Sequence, residues 1–172
     1  EDGNVIVIGL ENDQLFTPKE FKAWNTLTQE IKQQPGIKNV LSITNLPEVY
    51  IDSVANKFST RPLWDPKLPI TQINLDHLHD QLSRLPLFTN FIFTKDFNVH
   101  LMMITLDQKT INNKNRIQLV QHIKSLGDQY STKMGHSVHY SGMPFIRTEY
   151  TSQVTNELAI FLILAILVTS II

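Results

Sequence analysis

The chain has 172 residues, with 15 Lys and Arg against 16 Asp and Glu, a net charge of −1. That balance excludes a general electrostatic attraction to nucleic acid, and the lack of cysteine excludes disulfides, thiolate zinc sites and cysteine nucleophiles. The length fits one domain, or one domain with an appendage, and a mean hydropathy of −0.10 fits a body diluted by Asn, Gln, Ser and Thr.

Val5 to Leu10 is a short β-branched run between Gly3-Asn4 and Glu11-Asn12-Asp13, which reads as a buried strand. Thr17 then offers an N-cap, Pro18 a first helical position and Glu20 the third-position acid of a capping box, with Phe16 set to staple onto Phe21. Phe21, Trp24, Leu27 and Ile31 recur at helical spacing as one buried face, and Pro35-Gly36 ends the helix. Ile37 to Thr44 reads as a second strand. From Asn45 to Asn74 the periodicity fails around Pro47, Pro62, Pro66 and Pro69, so the segment is expected to be an insertion packed on the body by its aromatics.

Asp76 is expected to cap a helix carrying Leu78, Leu82 and Leu85, with Leu75 just outside it and Pro86 as its stop. Phe91-Ile92-Phe93 and Val99 to Leu106 flank Lys95-Asp96-Phe97-Asn98 as a hairpin whose second strand is central. Ile117, Val120 and Ile123 mark a helix from about Asn113 to Tyr130, Ser137 to Ser141 a last strand, and Gly142-Met143-Pro144 the opening of a last helix. The order strand, helix, strand, insertion, strand, helix, strand predicts an α+β fold, a ferredoxin-like double βαβ sandwich with one sheet face left free.

Leu158 to Ile172 carries no charge, only Thr169 and Ser170 are polar, and the run is apolar on every face of a helix. A span needs roughly 20 such residues, so this reads as a transmembrane helix cut off partway. The expected organisation is a domain over 1–146 with its insertion at about 45–74, a polar helical lead-in over 147–157, and the truncated transmembrane helix over 158–172. Arg147, Glu149 and Glu157 in the lead-in are the residues expected to couple domain to membrane, because no Gly or Pro interrupts them.

No nucleophile elbow, zinc-protease motif, phosphate loop or dinucleotide fingerprint occurs, so the chain is not expected to be an enzyme or to hold a cofactor. His77 and His79 are spaced to point to different sides of a helix, His136 and His139 to opposite faces of a strand with no acidic residue beside them, so no metal is assigned. Lys109, Lys114, Arg116, His122, Lys124 and Lys133 make the third helix mildly basic, as a solvated face. Tyr50, Phe58 and Trp64, with the flexible pair Met102 and Met103, are the candidates for lining an apolar substrate path, against the plainer reading that they are core.

Val40-Leu41-Ser42-Ile43-Thr44-Asn45 after the first helix, and Ser141-Gly142-Met143-Pro144 before a polar lead into an apolar helix, give a layout that resembles the resistance-nodulation-division (RND) superfamily in its MMPL-like and Patched-like exporter branch. The resemblance spans the whole chain, as the first extracytoplasmic loop and the start of the second membrane helix. It implies a porter-type domain on the periplasmic side of a bacterial inner membrane. Its partners would be the bilayer, a second porter-type loop, and an apolar or amphipathic molecule or lipid moved by a proton or ion gradient. The residues that relay ions in that superfamily lie in later membrane helices, so none is carried onto this chain. The alternative is a ligand-sensing ectodomain of a membrane-anchored signalling protein.

Overall fold

β1 (Val5–Glu11) follows a turn of 3-10 helix (Asp2–Asn4) and alternates strictly, with Ile6, Ile8 and Leu10 buried and Val5, Val7 and Gly9 half-buried. The computed structural model describes residues 2–52, 57–108 and 115–171. α1 (Pro18–Lys32) buries the expected Phe21, Trp24, Leu27 and Ile31, each worth about 1.5–3 kcal/mol when removed from water. Its capping box does not form. The Thr17 hydroxyl donates instead to the Gln14 carbonyl at 3.0 Å, and the buried Glu20 carboxylate turns to Asn12 and His136. Phe16 likewise packs on the rings of His79, Phe97 and His100, so tertiary contacts displace both local motifs.

β2 (Ile37–Leu41) stops three residues before the expected Thr44, because the Asn45 side chain folds back on the strand. Its Oδ1 accepts from the Ser42 N–H and its Nδ2 donates to the Val40 carbonyl, both at 2.7 Å, which turns the chain out of the sheet. The segment read as aperiodic holds a second, two-stranded sheet, β3 (Pro47–Asp52) and β4 (Lys57–Pro62), with Val49 opposite Thr60 and Ile51 opposite Phe58. Its prolines sit opposite each other at the end of the ladder where the hairpin leaves the body, so no interior hydrogen bond is lost.

α2 (Gln72–Ser83) begins four residues earlier than Asp76. Thr71 is the cap, its hydroxyl accepting from the Asn74 N–H, while Asp76 lies inside the helix and accepts from Gln72 Nε2 at 2.8 Å. Leu75 is therefore a buried helical residue. The hairpin expected before the central strand is reduced to bridges: Phe93 pairs singly with Thr89 and His100, in a segment bent by positive φ at Asn90 and Phe97. β5 (Val99–Leu106) is indeed central.

α3 (Asn115–Met134) runs four residues past Tyr130; its expected start near Asn113, and Lys109 and Lys114 of the basic face, lie outside the described residues. β6 (Val138–Ser141) and α4 (Met143–Ile171) complete an α+β fold. The sheet is antiparallel throughout, in the order β2-β5-β1-β6. Register puts Ile6, Ile8 and Leu10 beside Ile104, Met102 and His100 on one face, and this face forms one core with α1 and α3.

Candidate functional site

The residues expected to line a substrate path are dispersed. Met102 is fully buried on the sheet face beneath the helices, whereas Met103, its neighbour, is half-buried on the opposite face. Trp64 is 4% exposed and packs edge-on against Phe21, 5.1 Å between ring centres, so it belongs to the core. Tyr50 and Phe58 stand on opposite faces of the β3–β4 hairpin, because Tyr50 is paired with Ser59 and Phe58 with Ile51. These five side chains do not share one groove.

The structure offers two apolar surfaces in their place. The hairpin is two-faced: Glu48 accepts from Arg61 Nε at 2.7 Å, and the same guanidinium lies 5.2 Å from the Tyr50 ring centre. Hydrogen bonding to Glu48 raises the Arg61 pKa further above its ordinary value. The other face presents Val49, Ile51 and Phe58, the last 76% exposed. The second surface is the sheet face turned away from the helices, where Val5, Val7, Leu41, Leu101 and Met103 are all half-buried. Alternation along β5 thus places apolar side chains on both faces, which a near-continuous apolar run allows.

At the end of the sheet where β1 finishes, a buried polar cluster joins β1, α1, β5 and the α3–β6 turn. Asn12 Nδ2 donates to Glu20 at 3.2 Å, and His136 Nε2 lies 3.2 Å from the same carboxylate. The expectation that no acid neighbours His136 is therefore corrected; Glu20 is 116 residues away in sequence, and only the packing of α1 against α3 brings them together. His100 Nε2 lies 3.1 Å from the Asn12 carbonyl oxygen, while Nδ1 is buried without a hydrogen bond of ordinary geometry. Burial pushes the His100 pKa down to about 4, so the ring is neutral at pH 7. Among the described residues, no three His, Cys, Asp or Glu side chains gather to hold a metal ion.

At the opposite end, α4 is rooted in the body. Gly142, at φ +108°, is the hinge residue: an added Cβ would meet the Val5 carbonyl oxygen, so only glycine fits the approach of this turn to β1. Phe145 stacks on Tyr140 at 5.2 Å, and the Tyr140 hydroxyl reaches the Lys124 carbonyl at 3.0 Å and Asp128 Oδ1 at 2.8 Å, donating to one at a time. Gly127 makes room for that hydroxyl on α3, and burial raises the Tyr140 pKa. Arg147 and Glu157 are exposed, and Glu149 is half-buried facing Lys124. Beyond them α4 continues unbroken, and the 28 residues Met143–Ser170 are long and apolar enough to cross a membrane. Leu162, Ile163 and Leu164, in its second half, are 55% to 62% exposed.

Compared with models of known protein families and with curated protein sequences, the chain matches none.

Proposed function

We propose that the chain is the extracytoplasmic, substrate-handling domain of a gradient-driven RND-type exporter of the MMPL-like branch, with the α/β body on the periplasmic side of a bacterial inner membrane. In this reading it performs no catalytic step. It offers apolar surface to an apolar or amphipathic molecule, in a cleft shared with a second porter-type loop. One observation carries the reading: a four-stranded antiparallel sheet roofed on one face by two helices feeds without a break into a long apolar helix. The order β2-β5-β1-β6, taken with α1 and α3, supports the ferredoxin-like double βαβ arrangement expected of such a domain. The half-buried apolar face opposite the helices supports a partner there, since soluble monomers rarely expose large contiguous apolar patches.

The reading frame that encodes the chain tests this. About a dozen apolar spans and a second loop of the same layout are expected, as in transporters built from internal repeats. Spans on only two sides of this domain, followed by a signalling module, would overturn transport in favour of a ligand-sensing ectodomain. In cells carrying the intact protein, efflux of a lipophilic dye should also collapse when a protonophore dissipates the gradient.

A further inference from the structure

The two helices that roof the sheet do not close on each other along their outer side. Between α1 and α3 lies a groove of about 400 Å³, within the size of small-ligand sites. Its floor is mostly apolar, formed by Ala23 and Leu27 of α1 and by Leu126, Tyr130 and Met134 of α3, with Thr26 and Gln129 as uncharged polar lining. Lys19, Lys22 and Lys133 stand on its rim, with Glu30 as its one acid.

The helices run antiparallel, since Glu20 at the start of α1 meets His136 just past the end of α3, and Trp24 meets Tyr130 one turn further in. That sense sorts the rim by charge. Lys19 and Lys22 from the start of α1 and Lys133 from the last turn of α3 gather at one end, and Glu30 lies toward the other, about 17 Å along α1 from Lys19. Lys22 and Lys133 form no ion pair among the described residues, and Lys19 approaches only the Glu20 carboxylate, at 3.8 Å. The groove therefore has a cationic head and an apolar body. An inorganic anion would leave the floor unused, and a neutral hydrocarbon would leave the lysines unused.

We propose that this groove binds a medium-chain fatty carboxylate, its head group at Lys19, Lys22 and Lys133 and its chain laid over Ala23, Leu27 and Leu126. The inference narrows the amphipathic substrate class proposed above and rests on that reading for its physiological role, whereas the binding itself is a property of the chain.

The test is a titration of the full chain, carried in nanodiscs of a zwitterionic lipid and labelled at its methionine methyl groups, with dodecanoate, dodecanol and acetate. Dodecanoate should move the Met134 resonance and leave that of the core residue Met102 in place, while acetate should move neither. The double variant Lys22→Glu, Lys133→Glu, with its thermal midpoint unchanged, should bind dodecanoate about tenfold more weakly, the sum expected of two exposed charge contacts. Leu126→Trp, which fills the groove, should abolish the shift. An unmoved Met134, dodecanol binding as tightly as dodecanoate, or affinity that survives the double charge reversal would each overturn the proposal. Failure here with a full set of spans in the reading frame would sink the ligand and keep transport; binding with only two spans would do the reverse.

Discussion

In α1, Phe21, Trp24, Leu27 and Ile31 recur every three or four residues and all are buried, whereas in α4 apolar side chains occupy every position around the helix from Ile160 to Leu164 and stay exposed. The two helices are rich in the same residue types and distribute them differently around their axes. α1 hides one stripe from water against a sheet; α4 has no stripe to hide, and is at rest where its surroundings are as apolar as itself. The teaching is that hydrophobic content alone does not tell core from membrane, while its distribution around the helix does.

The comparison breaks most sharply at Trp24. Trp24→Ala removes a fully buried ring, its packing on Tyr130 and its indole hydrogen bond to Ser42, and should cost about 3–5 kcal/mol in urea unfolding. The α4 counterpart, Leu162→Lys, should leave the unfolding midpoint of the body unchanged but weaken membrane insertion by about 2.5–3.5 kcal/mol, read as the fraction of chain that spans vesicles. If Leu162→Lys unfolds the body instead, α4 is a core helix.

The buried polar cluster sharpens the α1 side. His100 is neutral in the folded chain with a pKa of about 4 against an ordinary 6.5, so the unfolded chain binds more protons between those values. Stability is then fully present above pH 6.5 and falls as pH drops toward 4, by about 3 kcal/mol in all. His100→Gln, which keeps a donor for the Asn12 carbonyl, should flatten that slope in chemical denaturation followed at several pH values. The smallest effect belongs to the hairpin: Phe58→Ala, at a side chain 76% exposed, should move stability by no more than about 0.5 kcal/mol, in contrast to Trp64→Ala six residues on.

Periodicity made α1, β1, β5 and the apolar helix legible, since each follows from the spacing of its own residues. What escaped depends on partners distant in sequence. The sequence Thr17-Pro18-Lys19-Glu20 satisfies a capping box, yet Glu20 turns to Asn12 and His136 because a buried carboxylate is held better by two polar side chains than by one terminal N–H. The β3–β4 hairpin was hidden by its prolines, which read as breakers one at a time and pair only in the folded ladder. Local pattern pointed to Asp76 as the helix cap, whereas the cap is Thr71, from which Leu75, Leu78 and Leu82 align on one buried face. The groove between α1 and α3 was invisible for the same reason: Lys22 and Lys133 are neighbours only once the helices cross the sheet side by side.

Gly142 sets the first residue of α4 directly against β1, and no flexible joint follows it. The body and the apolar segment therefore share one helical phase. Adding a single residue between Tyr150 and Glu157 would raise the body by about 1.5 Å and swing it about 100° around the helix axis. The length of this connector works as an angular setting: it fixes the compass direction in which the open sheet face, the hairpin and the lysine-rimmed groove look out around the axis of the apolar segment.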